Sequence, residues 1–326
     1  MRTGNRFAAI PIFTTVALIS FAWLSAKPDA QAAPSPWSDP LPLVAPINSP
    51  FMESGASISA DGLTMIFGTN RPCSDNDVVS DADLWVSRRS SLSAPWQAQC
   101  LRINADGFTD NVPYLSPDGH WLYFVSDRPG SIGTQNDRRD VWVSRRRDVQ
   151  NDQGWEEPIN LGAPVNTDAP EGGPAYFVTR EAKYFRLLPK EKLIFNSARE
   201  TGSFDLWEVG IFNGMAFGPS RRLDEVDTLE FTEAGSTVSA DGLELFFQRG
   251  LPGGLTDLFT ATRHEPDERW SQPVRLPAPL NTAEYTEAVP RLSPDGSMLI
   301  FQSNRPGGLG SLDVWITTRT IFAHSR

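Results

Sequence analysis

Histidine is scarce: His120, His264 and His324 are the only three in 326 residues. Three scattered imidazoles exclude the multi-histidine metal centres that some propeller lyases use. Cysteine is scarcer still, with Cys73 and Cys100 alone, and two thiols cannot build a four-cysteine zinc site. Basic charge is in deficit, 29 Lys and Arg against 40 Asp and Glu, for a net charge of −11. Binding along a phosphate backbone needs a basic face, so nucleic acid is excluded as a partner. No G-x-S-x-G elbow occurs, which removes the usual setting for a Ser-His-Asp nucleophile.

Long apolar runs are confined to one place. Arg2 and Arg6 precede an apolar stretch from Phe7 to Ala26, and Ala30-Gln31-Ala32 follows with a small-x-small pattern. The expectation is a signal peptide over residues 1–32, cleaved before Ala33. A retained anchor is the alternative, because the run approaches spanning length. No cysteine precedes Cys73, so there is no lipid-attachment box. Cleavage removes three basic residues and one acidic one, taking the net charge from −11 to −13. Attraction to anionic lipid is then not expected, nor is membrane insertion after cleavage. The expected location is periplasmic or secreted, where disulfides persist. Cys73 and Cys100 form either a bridge within one repeat or two buried thiols that never meet.

Turn residues and aromatics are plentiful: 25 Gly, 27 Pro, 10 Trp and 19 Phe. That mixture suits many short strands joined by turns. A turn motif recurs as Ser59-Ala60-Asp61-Gly62, Ser116-Pro117-Asp118-Gly119, Ser239-Ala240-Asp241-Gly242 and Ser293-Pro294-Asp295-Gly296. Each is followed by an apolar strand-like run (63–67, 121–125, 243–247, 298–301). Next comes an Asp ahead of an apolar and an aromatic residue: Asp83-Leu84-Trp85, Asp140-Val141-Trp142, Asp205-Leu206-Trp207, Asp257-Leu258-Phe259 and Asp313-Val314-Trp315. A fourth strand is expected to open at Trp96, Trp155, Phe217 and Trp270. The third repeat lacks the turn and has an insertion containing Arg180, Lys183, Arg186, Lys190 and Lys192, the only basic cluster. It reads as a solvated face or as a docking patch for an acidic partner.

The last repeat stops after Trp315 and has no fourth strand. The missing piece sits at the other end, where Trp37-Ser38-Asp39-Pro40 echoes Trp270-Ser271-Gln272-Pro273. Residues 37–49 should therefore complete the final blade and close a ring. The fold class is all-β: a five-bladed β-propeller of four-stranded blades, one domain over residues 33–326. Residues 113–145 and 290–318 resemble the TolB-type, WD-like propeller repeat of exported bacterial envelope proteins. The resemblance covers essentially the whole mature chain. TolB itself has an additional N-terminal α/β domain and six blades, and this chain has neither. The resemblance therefore implies the fold and an envelope setting, while the Tol partner is not carried over.

Candidate site residues follow from the repeat. Six positions before each turn Ser lies an acidic residue: Glu53, Asp110, Glu233 and Glu287, with Glu171 as the third-repeat equivalent. They are expected to ring one mouth of the central channel. The second strand ends at the same mouth with Arg71, Arg128, Arg199 and Arg305; the fourth repeat has Leu251 instead. These nine residues are either strand and blade staples or, in part, ligand-binding groups. Glu233, whose repeat lacks the Arg at the matching position, is expected to be unpaired, with a raised pKa. The repeated Asp before the aromatic reads as architecture, and the aromatics as packing between blades. Asp75, Asp77 and Asp81 form a weak calcium set in an acidic loop; otherwise no cofactor is expected.

Two functions remain. The first is a non-enzymatic envelope module, a monomer, that binds a protein or glycan through one face. It needs no catalytic constellation, and Arg138 and Arg139 are candidate contacts. The alternative is a carbohydrate-active enzyme, since some glycosidases are five-bladed propellers with inward carboxylates. Glu171, Glu233 and Glu287 would then be the acid and base or nucleophile. A prolyl-oligopeptidase relative is excluded, because no residues remain for a hydrolase domain.

Overall fold

The computed structural model describes Met1 and residues 37–74, 81–133, 137–179 and 191–321. Beyond Met1, the expected signal segment 1–32 lies outside the described residues, as do Asp75, Asp77, Arg180, Lys183, Arg186 and Lys190. From Ser35 onward the chain is one compact unit of five four-stranded antiparallel sheets. Among the described residues there is no helix, and thus none long and apolar enough to cross a membrane.

Blade one comprises β2 (Glu53–Ile58), β3 (Thr64–Thr69), β4 (Asp83–Arg88) and β5 (Gln97–Cys100). Blade two comprises β6 (Asp110–Leu115), β7 (Trp121–Ser126), β8 (Asp140–Arg145) and β9 (Ile159–Asn160). Blade three comprises β10 (Glu171–Val178), β11 (Glu191–Ser197), β12 (Asp205–Phe212) and β13 (Met215–Arg222). Blade four comprises β14 (Glu233–Val238), β15 (Glu244–Gly250), β16 (Thr256–Thr262) and β17 (Val274–Arg275). Blade five takes β18 (Glu287–Leu292), β19 (Met298–Ser303) and β20 (Asp313–Thr318) from one end of the sequence, and β1 (Leu41–Pro42) from the other.

The closure expected from the Trp37 segment is present. Leu41 pairs with Ile316 and Pro42 with Trp315, and Trp37 bridges to Arg319. Trp37 is buried edge-on against Phe246, with the Arg319 guanidinium over its ring. The last outer strand thus locks onto the neighbouring blade as well as its own.

The recurring turn works as its residues require. Ser116 Oγ donates to Asp118 Oδ1 at 2.5 Å and accepts the Trp121 N–H at 2.9 Å. Gly119 sits at φ +74°, a conformation that side chains disfavour. The repeated Asp also behaves as architecture. Asp140 accepts from the Ile132 N–H at 2.7 Å and Asn160 at 2.6 Å; Asp313 accepts from the Leu309 N–H at 2.9 Å. Each carboxylate pins the loop that leads into its own strand.

The innermost strands share a second device. Each bulges two residues after its acidic start, at Gly55, Val112, Gly173, Gly235 and Val289, all with φ between 46° and 58°. Val112 and Val289 are β-branched in the left-handed region, a cost of roughly 1–2 kcal/mol each. The bulges meet around the channel: a Cβ on Gly55 would lie 2.7 Å from Val112 Cα.

Two details differ from expectation, and one open alternative is settled. The fourth strands β1, β9 and β17 have two residues each and β5 four, against eight in β13; only Phe217 lies inside its strand, while Trp96, Trp155 and Trp270 precede theirs. Lys192 belongs to β11, not to an insertion, and its Nζ donates to Glu208 at 3.0 Å across to β12. Cys73 and Cys100 are disulfide-bonded, tying the β3–β4 loop to the outer strand β5.

Candidate functional site

The five acidic residues begin the five innermost strands, as the repeat implies, yet none is exposed beyond 1%. Each is spent on a clamp between blades. Glu171 accepts from the Thr167 N–H at 2.9 Å, Thr167 Oγ1 at 2.7 Å, Ser197 Oγ at 2.7 Å and Arg199 Nη2 at 3.4 Å. Arg199 also donates to the Pro164 carbonyl at 2.9 Å, on the link from the previous blade, and covers Trp207. Arg71 repeats this with Glu53, Pro46 O and Trp85; Arg128 with Asp110, Ile103 O and Trp142; Arg305 with Glu287, Pro279 O and Trp315. The repeated aromatics are thus the floor of a carboxylate–guanidinium–ring stack. Burial raises the carboxyls of Glu53, Asp110, Glu171 and Glu233 above their ordinary values, against the pull of their hydroxyl, amide and guanidinium partners. Of the two readings of the ring, staple or ligand group, the geometry matches the staple: the ring is closed to solvent and every carboxylate is satisfied from within.

Glu233 corrects an expectation. It is not unpaired: Arg249 Nε donates to it at 2.7 Å, while Arg249 Nη2 donates to Val226 O at 2.7 Å and the guanidinium covers Phe259. Register explains the miss. Glu53, Asp110, Glu171 and Glu287 pair directly with Thr69, Ser126, Ser197 and Ser303, and the Arg follows two residues later. In blade four Arg249 itself stands opposite Glu233, so Leu251 is not needed for the clamp.

Blade three departs from another repeated device. Asn48, Asn104, Asn166 and Asn281 each bond both backbone groups of the residue after the repeated Asp, as with Asn281 and Leu258 at 2.8 Å and 2.8 Å. Blade three's edge is read instead by Asp227, whose Oδ1 accepts the Leu206 N–H at 3.0 Å. Burial foremost, then the nearby carboxylates of Asp205 and Glu233, push Asp227 up to about 7. The Leu206 amide and Arg222, which also reaches Asp205 at 3.0 Å, pull the other way.

Of the calcium set only Asp81 is described, and it joins no group of three close ligand atoms. Such groups among the described residues are Cys73–Asp83–Cys100, whose thiols are bridged, and Asp205–Asp227–Glu233, held by arginines.

Two cavities lie at opposite ends of the channel. At the loop end, a cavity of about 260 Å³ is lined by Asn111, Asn196, Gln248, Arg139, Phe204 and Thr232, among others. The amides come from first and second strands and partly face inward; Gln248 Oε1 accepts the Val289 N–H at 2.8 Å. Arg139 spans Phe204 at 5.5 Å and pairs with Asp137. Glu171 is the one carboxylate in this lining, and its partners hold it. Arg138 and Arg139 lie in the same β7–β8 loop.

At the turn end, a cavity of about 160 Å³ is walled by Ile58, Leu115, Phe177, Val178, Val238 and Leu292, with Arg291 at its base. Arg291 is 1% exposed. Its Nη1 donates to Ser236 O at 2.8 Å in blade four, and its Nε points at Pro113 O, 3.5 Å away in blade two, so it bridges the channel. Burial pushes its pKa down to about 10, which leaves it cationic at neutral pH. The sequence analysis missed Arg291; its one signal was a lone charge in an otherwise uncharged innermost strand position.

No family model matches the chain, and no curated protein matches it. Solved structures do. TolB of Acinetobacter baumannii is 15% identical over 83% of this chain, with a TM-score of 0.44; the chain spans 55% of that protein's length. A GH62 α-L-arabinofuranosidase catalytic domain of Coprinopsis cinerea is 11% identical over 88% of this chain and 97% of its own, with a TM-score of 0.53. A thermostable family-43 glycoside hydrolase is 10% identical over 86% and 94%, with a TM-score of 0.56. At such identities the likeness is one of fold: a five-bladed β-propeller of the kind the TolB-type repeats imply.

Proposed function

We propose that this chain is an exported, non-enzymatic β-propeller of the cell envelope that grips a protein or glycan partner at its loop face. One observation carries the reading: all five channel carboxylates are consumed by inter-blade clamps. A glycosidase needs two carboxyls free to reach one bond, about 5–9.5 Å apart. The loop-end cavity has Glu171 alone. What that cavity does offer is amide, hydroxyl and guanidinium groups beside an aromatic ring, chemistry that suits sugar hydroxyls or a peptide backbone. The Cys73–Cys100 bridge supports an oxidising compartment.

The test is a thermal-shift series on residues 33–326 against cello-, xylo- and chito-oligosaccharides. A ligand at 100 times its Kd adds about 2.7 kcal/mol to the folded state. A shift that disappears in Gln248→Ala and Arg139→Ala, with no sugar released, supports a glycan at the loop face. No shift with any sugar directs the search to a protein, by crosslinking in the envelope through the same loop. Hydrolysis that is lost in Glu171→Gln or Glu233→Gln would overturn the non-enzymatic reading.

A further inference from the structure

We propose that the turn end of the channel binds a small organic carboxylate with an apolar body about the size of one aromatic ring. The site is distinct from the loop face, and the proposal does not depend on what binds there.

Charge is the first argument. Arg291 is buried, and no carboxylate of the described residues lies within ion-pair distance of it. Its Nη2 lacks any hydrogen-bond partner among the described residues, and Arg291 is one of the residues that line the cavity. The Tyr114 ring lies 5.3 Å from the guanidinium carbon, and its other neighbours are neutral carbonyls: Ser236 O at 2.8 Å, Pro290 O at 3.1 Å and Pro113 O at 3.5 Å. A buried cation without an anion is costly, and a chain of net charge −11 has had ample acidic residues to supply one. The clamp arginines Arg71, Arg128, Arg199, Arg249 and Arg305 all have their carboxylate, while buried Arg263 makes do with the Gly242 and Glu268 carbonyls and lines neither channel-end cavity.

Symmetry is the second. Arg291 stands four residues after the acidic start of its strand, where the other blades place Ser57, Tyr114, Ala175 and Thr237. The fold asks at most for a hydroxyl there: Ser57 Oγ accepts the Leu115 N–H at 3.0 Å and Thr237 Oγ1 the Leu292 N–H at 3.1 Å, each from the next blade. Arg291 instead reaches the Ser236 and Pro113 carbonyls of blades four and two, a contact that no residue at this position in the other blades makes, and a departure in one blade of five is what a site needs and a repeat does not.

Shape and lining are the third. A cavity of about 160 Å³ matches the roughly 150 Å³ apolar cavity that takes benzene. Apart from Arg291, its walls are aliphatic and aromatic side chains with a few hydroxyls. Pro117, Ala240 and Pro294 line it as well, so the second residue of three turn motifs surrounds it. A hydrated inorganic ion gains nothing from such walls, while a carboxylate on an apolar body satisfies both halves.

The experiment is calorimetric titration of the chain, residues 33–326, with benzoate, benzyl alcohol and acetate in low-salt buffer near pH 7. Benzoate should bind at one site, at least about tenfold tighter than either of the others. That comparison needs no variant. Arg291→Met removes the charge while keeping the length; it should fold with an unchanged or raised Tm and lose benzoate affinity by about tenfold or more. Benzyl alcohol equal to benzoate would overturn the role of the charge, and acetate equal to benzoate that of the walls. No saturable benzoate binding by roughly 10 mM, or binding kept within twofold in Arg291→Met, would overturn the site itself.

Discussion

At the scale of single residues, blade four shows how a repeat keeps its function while changing its letters. Arg249 does alone what Ser or Thr and a later Arg do elsewhere, because it stands in register with Glu233. Arg249→Met should therefore cost about 3–5 kcal/mol in urea unfolding, since Glu233 would be left buried and uncompensated. Arg249→Thr combined with Leu251→Arg copies the other blades and should recover most of that loss; Leu251→Arg alone should recover none. Asp227 gives a pH prediction. Its carboxyl titrates near 3.8 ordinarily and about 7 when folded, so between those values the folded chain holds the extra proton. That contribution is complete below about pH 4 and is lost as the pH rises through 7. Asp227→Asn should remove this fall, and it supplies the amide that Asn48, Asn104, Asn166 and Asn281 already use. Denaturant midpoints at pH 5 and pH 8 should show the variant gaining roughly 2–3 kcal/mol on the parent at the higher pH. A constant difference at both would disprove the assignment.

At the scale of elements, legibility in the sequence followed from the range of the interactions. The turn tetrapeptides, the Asp-x-aromatic strands and the Trp37 echo are local patterns, and they placed the blades and the closing strand correctly. The Glu233–Arg249 pair was missed because counting from the turn cannot see which residue a neighbouring strand sets opposite. Arg291 was missed because its partners, Ser236 and Pro113, lie 55 and 178 residues away and on other blades. The disulfide was legible as a candidate and not as a bond, since two cysteines 27 residues apart say nothing of the loop that brings them together. On the chain-entropy account that bridge contributes about 3.5 kcal/mol. Cys73→Ser with Cys100→Ser should lower Tm by several degrees without altering the circular dichroism of the sheets. Trp37→Ala should cost about 3–5 kcal/mol, because it empties a buried slot shared by two blades. Unchanged melting in that variant would refute the closure.

At the scale of the whole molecule, the ring is held by two repeated systems, the clamps and the bulges around the channel, and by one strand from the far end of the sequence. Because β1 completes the sheet of β20, the blade that seals the ring joins residues 41–42 to 315–316. This sets an order of events for a chain delivered from its N-terminus. The segment holding β1 arrives first and waits, unpaired, until the last blade follows. Through that interval blade five lacks its outer strand and Phe246 lacks Trp37. Closure is then a loop of nearly the full chain, slow by its length and late by its position. A circular permutant that starts at Ser49 and carries residues 37–48 after Arg319 would make the final pairing a local one. It should refold faster than the natural order while unfolding at a similar rate.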